Sequence, residues 1–151
     1  MNNKKRSVLI TGAAGLLGPQ HAAALIEKNF NVVLIDKDFE ILKKVKKKLI
    51  SKYQKTKIII SSTDITKEKK IKKLKNFLQK KGIAIDTLIN NAAANPKMSN
   101  YNNSTSGMVE NYNTNFLIKE INVGILGAFF CCKIFGSDMA KRNFGVIINI
   151  G

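Results

Sequence analysis

Ser7-Val8-Leu9-Ile10-Thr11-Gly12-Ala13-Ala14-Gly15-Leu16-Leu17-Gly18 is an apolar, strand-like run that passes directly into three glycines and then into a helical pattern. A turn this tight calls for a residue without Cβ at Gly12. Gly15, followed by Leu16 and Leu17, lets the backbone approach a pyrophosphate, and Gly18 lets the next helix pack closely on its strand. Phosphate charge then meets a helix N-terminus. Glycine spacings of this kind arise by chance, so the weight falls on a second residue. Asp36 ends the next apolar run, from 31 to 35, eighteen residues beyond Gly18. A strand-terminal carboxylate there accepts hydrogen bonds from the ribose diol of an adenosine, which predicts a dinucleotide cofactor.

Outward from this stretch, apolar runs alternate with amphipathic ones. Residues 7–11 read as a strand, 15–29 as a helix and 32–35 as a second strand, with Pro19 in the first helical turn, where its missing donor costs little. A helix from 39 to 52 carries Ile41, Leu42, Val45 and Leu49 on one stripe, and a helix from 67 to 80 carries Ile71, Leu74, Phe77 and Leu78. Between them, residues 57–61 contain three consecutive isoleucines, a pattern that predicts a strand covered on both faces. Strands at 87–90 and 146–150 and a long apolar helix from 116 to 139 complete the pattern. Strands and helices alternating at this length predict an α/β, doubly wound parallel sheet with right-handed crossovers. At 151 residues, and with no internal repeat or linker, the whole of 1–151 reads as one domain. The polar, Asn- and Ser-rich segment from 95 to 115 is expected to hide a short helix or to border the substrate.

The formal charge of +16 invites a nucleic-acid reading, but the basic residues are lysines apart from Arg6 and Arg142. Bidentate base readout favours arginine, and the lysines crowd the faces left over by the apolar stripes of two helices, so a solvated surface and no nucleic-acid partner are expected. Cys131 and Cys132 are adjacent in an apolar helix, without metal-ligand spacing, so no metal site and free, buried thiols are expected. No run reaches the roughly 18 apolar residues of a membrane span. A basic, apolar start resembling a secretory signal is interrupted by the glycines. A cytoplasmic protein with no membrane partner is expected. His21, the only histidine, has no Asp, Ser or Cys pattern near it to form a relay.

Taken together, Thr11-Gly12-x-x-Gly15-x-x-Gly18, Asp36, Asp64-Ile65 after the third strand and Asn90-Asn91-Ala92-Ala93 after the fourth resemble the short-chain dehydrogenase/reductase family over nearly the whole chain. The resemblance implies a Rossmann fold of strand order 3-2-1-4-5, incomplete on its C-terminal side. It implies that Asp64, with Ile65, holds the adenine, and that Asn91 and Ala92 steady the central sheet beside the cofactor. Asn122, in Ile121-Asn122-Val123-Gly124, matches the asparagine of the family's Asn-Ser-Tyr-Lys set, whose implied role is to hold a water for proton relay. Two departures qualify the match. The middle glycine at 15, with Leu16 where the single-domain branch has glycine, resembles the extended, sugar-nucleotide epimerase or dehydratase branch, whereas the Asn90-Asn91 pair and Asn122 resemble the single-domain oxidoreductases. Ala93 also stands where a glycine is usual.

What the resemblance implies is an NAD(H)-dependent oxidoreductase acting on a small alcohol or carbonyl substrate. The glycine spacing together with Asn-Asn-Ala-Ala is similar to some bacterial reductases of surface-sugar and flagellin-modification pathways, which points to a sugar-derived substrate. The alternatives are an extended-branch epimerase or dehydratase and a basic nucleic-acid-binding module. NAD is expected over NADP, because Asp36 would repel a 2′-phosphate while Lys37 can turn into solvent. The catalytic serine, tyrosine and lysine are expected beyond Gly151, in a longer protein, so that this portion binds cofactor without turning over substrate. The long helix is apolar almost all round, from Leu117 to Phe135, more than one face against the sheet can bury. The resemblance implies a homo-oligomer built on it, the alternative being a further C-terminal helix of the same chain that covers it.

Overall fold

The computed structural model describes residues 5–94 and 108–151. Five parallel strands form one sheet, β1 (Ser7–Thr11), β2 (Asn31–Asp36), β3 (Ile58–Ser62), β4 (Thr87–Asn90) and β5 (Val146–Asn149), in the order β3-β2-β1-β4-β5. Helices α1 (Gly18–Glu27), α2 (Phe39–Lys52) and α3 (Glu68–Lys80) lie between strands, and a long helix α4, running from Thr114 to Lys141, precedes β5. This is the doubly wound arrangement expected from the sequence. The strand order switches at β1: β2 and β3 are added on one side and β4 and β5 on the other, so a crevice opens above its C-terminal end.

The apolar continuity of β2 has a simple origin: its residues alternate between two cores. Val32 and Leu34 join Val8 and Ile10 against Ala22 and Ile26 of α1 and Leu42, Val45 and Leu49 of α2. Val33 and Ile35 join Leu9 and Leu88 against Ile71, Leu74 and Leu78 of α3 and Cys131, Ile134, Phe135 and Met139 of α4. Each fully buried Leu or Ile contributes about 1.5–3 kcal/mol relative to exposure, so this three-layer packing dominates the fold. Side-chain caps start two helices: Asp38 accepts from the Ile41 N–H at 3.0 Å, and Asn113 from that of Phe116 at 3.1 Å.

Three expectations need correction. α1 begins at Gly18, not at 15, because the Gly15 N–H closes a turn onto the Gly12 carbonyl at 3.0 Å and leaves Leu16 and Leu17 outside the helix. β3 is an edge strand among the described residues: Ile58 is buried, but Ile59 and Ile60 are only half-buried, since no described strand lies beyond them. The long helix is not uniformly α. Two π-helical segments, Ile121–Gly127 and Cys132–Gly136, interrupt it, each fitting its extra residue by widening the turn. The segment from 95 to 107, with its expected short helix, lies outside the described residues. β5 exposes Val146, Ile147 and Ile148. Among the described residues no helix is long and apolar enough to cross a membrane.

Candidate functional site

Gly12 ends β1 with φ +63°, and a Cβ there would stand 2.7 Å from the Ala92 Cα. Only glycine meets both conditions without strain. At Gly18 a Cβ would fall 2.5 Å from the Ala13 Cα, so α1 can pack on its strand only if this position stays bare. The turn is clamped from behind. The Thr11 hydroxyl oxygen accepts from the N–H groups of Asn91 and Ala92, both at 3.0 Å, and the Asn91 amide donates to the carbonyls of Thr11 at 3.0 Å and Gly12 at 3.2 Å. The first turn of α1 carries no acidic residue and no side-chain cap, and among the described residues the Leu16 and Leu17 N–H groups have no protein acceptor. Uncapped donors at a helix N-terminus suit an anion.

Across the crevice, Asp36 sits half-buried at the tip of β2. Its Oδ2 accepts from the Ala14 N–H and its Oδ1 from the Asp38 N–H, each at 3.1 Å, which fixes the carboxylate while leaving lone pairs for a diol. Asp64 follows β3. Its Oδ1 accepts from the Thr66 N–H at 3.0 Å and the Thr66 hydroxyl at 2.7 Å, and its Oδ2 has no partner among the described residues. Partial burial opposes the charged form, but the Thr66 hydrogen bonds together with Lys70 and Lys67 outweigh it and hold this carboxyl below its ordinary range. Asp64 therefore stays an acceptor.

A crevice of about 500 Å³ joins these groups, lined by Gly12, Asp36, Asp64, Ile65 and Ala92 among others. Gly15, Leu16 and Leu17 do not line it, and Leu16 is 84% exposed. Gly18 and Asn91 act from behind as packing and clamp. Asn122 lines an adjoining pocket that shares Lys37, Asp64, Thr66, Lys119 and Val123 with the crevice. Sequence reading missed Phe116, Lys119 and Val123, although their spacing along α4 marks one helical face.

Elsewhere, Cys131 is buried and Cys132 half-buried, both free; burial, then the neighbouring Cys132, pushes the Cys131 thiol up to about 12, which keeps it unreactive. Asn90 bridges β4 to β5, its amide donating to Asn149 Oδ1 at 2.8 Å and to Cys132 Sγ at 3.3 Å. Tyr53 and Lys57 have a Tyr-x-x-x-Lys spacing, but neither lines the crevice. The Tyr53 hydroxyl donates to Glu27, and Lys57 lies at the opposite end of the sheet from the crevice.

The family model for short chain dehydrogenase matches residues 6–151. The oxidoreductase YxjF of Bacillus subtilis (strain 168) is 29% identical over 147 residues, covering 97% of this chain and 53% of that protein. Among solved structures, ElxO with NADP bound superposes at a TM-score of 0.80 with 30% identity, covering 95% of this chain and 54% of that one. NAD+-bound xylitol dehydrogenase superposes at 0.78 with 24% identity, covering 97% and 53%, a likeness of fold. The chain thus spans about half the length of the relatives it matches. A glycine turn clamped by the Asn-Asn-Ala-Ala loop, two carboxylates across one crevice and a family match over almost every residue lead to one conclusion: the chain belongs to the short-chain dehydrogenase family.

Proposed function

We propose that this chain is the cofactor-binding part of an NAD(H)-dependent oxidoreductase acting on a small alcohol or carbonyl compound. The observation that carries the reading is the meeting, on one crevice, of the Gly12 turn with the carboxylates of Asp36 and Asp64, the uncapped N-terminus of α1 following directly behind that turn. The residues fit a nicotinamide dinucleotide. The bare backbone at Gly12 and Gly15 and the donors of Leu16 and Leu17 suit a pyrophosphate, Asp36 suits an adenosine ribose, and the open Oδ2 of Asp64 suits the exocyclic amine of adenine. When bound, such a cofactor supplies hydride transfer.

Asp36 favours NAD, because a 2′-phosphate would meet a carboxylate already fixed by two N–H groups. Lys37 lines the same crevice and is the feature that would favour NADP, the cofactor bound in ElxO. Calorimetric titration of NAD and NADP onto the protein and onto Asp36→Ala decides the question. Tighter NAD binding by the parent and a shift towards NADP in the variant support the reading; tighter NADP binding by the parent rejects it. The proton-relay role implied for Asn122 would be supported by loss of turnover, with unchanged cofactor binding, in Asn122→Ala of the longer protein. The exposed Ile118, Ile121, Ile125 and Phe129 on α4 support association of copies along that helix, which sedimentation equilibrium measures.

A further inference from the structure

Basic charge in this chain is carried by twenty-four lysines and two arginines, and both arginines line the same pocket. The pocket measures about 520 Å³ and sits at the N-terminal end of the sheet, opposite the cofactor crevice, where the strands begin. Lys5, Arg6, Lys57, Lys81 and Arg142 line it, against one carboxylate, Asp86. Both oxygens of that carboxylate are committed, Oδ2 to the Ser7 N–H at 3.0 Å and Oδ1 beside Arg142 Nη1 at 3.4 Å. Asp86 therefore orders the pocket wall and leaves most of the positive charge unopposed.

The cations divide into fixed and available ones. Arg142 is fixed, its Nη2 donating to the Ile85 carbonyl at 2.7 Å. Arg6 stacks over the Phe144 ring at 5.3 Å and Lys81 over Phe77 at 5.1 Å, exposed contacts that a phosphate readily outcompetes. Lys5 and Lys57 have no carboxylate partner among the described residues. Ser7 lines the same pocket, is only 6% exposed, and its hydroxyl makes no hydrogen bond to a described residue. A hydroxyl without a protein partner, on the wall of a pocket lined by these cations, is a donor available to a ligand there.

We propose that this pocket is a second anion site, built for a compact di- or triphosphate group held by Arg6, Lys5, Lys57 and the Ser7 hydroxyl. The lysine abundance of the chain does not account for it, because the arginines, whose planar, weakly hydrated guanidinium suits phosphate, occur nowhere else. A concavity of this size favours a small anion over a nucleic-acid duplex, which would track an extended face.

The test is calorimetric titration of sodium tripolyphosphate onto the protein saturated with NAD, so that the glycine turn is blocked. Saturable binding is expected, weakened at least about tenfold in Arg6→Ala/Lys57→Ala, the loss of about one charge-assisted hydrogen bond. Lys44→Ala/Lys47→Ala, with the same change of charge on α2, should bind as the parent does. Lys57→Ala alone, at an exposed position, repeats the test where the double variant fails to fold. No saturable binding, equal weakening in the α2 control, or binding of duplex DNA but not of tripolyphosphate would overturn the proposal. If NAD itself does not bind but the tripolyphosphate pattern holds, the cofactor reading fails and this site stands.

Discussion

Replacing Gly12 and Gly15 separately divides the two demands placed on the glycine turn. In Gly12→Ala the new Cβ is strained twice, by the left-handed backbone at φ +63° and by an approach of 2.7 Å to the Ala92 Cα, a backbone atom held by the Thr11 and Asn91 hydrogen bonds. The left-handed conformation costs about 1–2 kcal/mol and the overpacking about 1–3 kcal/mol, so a loss of about 2–5 kcal/mol is expected. For a chain of this size, that lowers Tm by roughly 5–15 °C. In Gly15→Ala the nearest atom to the new Cβ is the Gly12 carbonyl oxygen at 3.2 Å, a tight contact but not one that forces the backbone apart. Its Tm should move by no more than about 2 °C, while NAD affinity falls at least about tenfold, because the methyl group stands where a pyrophosphate must approach. Thermal melts followed by circular dichroism and NADH fluorescence titration measure both quantities. A Gly12→Ala protein that melts with the parent, or a Gly15→Ala protein that binds NAD as tightly, would refute the reasoning.

Gly127→Ala should weaken cofactor binding more than it lowers Tm, since the added Cβ would stand 2.7 Å from the flexible end of Ile65, a wall of the crevice; parallel melts and NADH titrations check this. Asp138→Asn removes the partner of Lys75, an ion pair of 2.7 Å joining α3 to α4 with side chains 21% and 32% exposed, and should cost about 1 kcal/mol in urea denaturation. The folded-state pKa of Asp64 is depressed, so its stabilising contribution is present above its unfolded value, about 3.9, and is lost as pH falls through the folded value. The stability difference between the parent and Asp64→Asn, measured by urea denaturation at a series of pH values, should therefore be constant near neutrality and shrink below about pH 4.

The glycine turn was legible because its demands are local: a residue that must adopt positive φ under a neighbouring loop declares itself in one letter, as Gly12 does. Asp36 was legible because it ends an apolar run, and Asp64, two residues beyond β3, through the family resemblance; strand ends collect at one edge of a parallel sheet. The start of α1 was not, since it depends on the Gly15 N–H choosing the Gly12 carbonyl over a helical partner. Nor was the exposure of β3, whose three isoleucines are as apolar as a central strand; which strand lies at the edge is a property of the whole sheet. The π segments of α4 shift its phase, and periodicity counted at the α-helical pitch assumes that phase constant. The basic pocket draws residues from five separate stretches of the chain, and no linear pattern announces it.

The central claim, that dinucleotide phosphate docks on the main-chain amides between β1 and α1, is tested most directly by ¹⁵N-resolved NMR titration with NAD. The largest amide shifts should fall on Gly12, Gly15, Leu16 and Leu17, with further shifts near Asp36 and Asp64. Shifts confined to other surfaces, such as the pocket around Arg6 and Lys57, with the glycine amides unmoved, would contradict it.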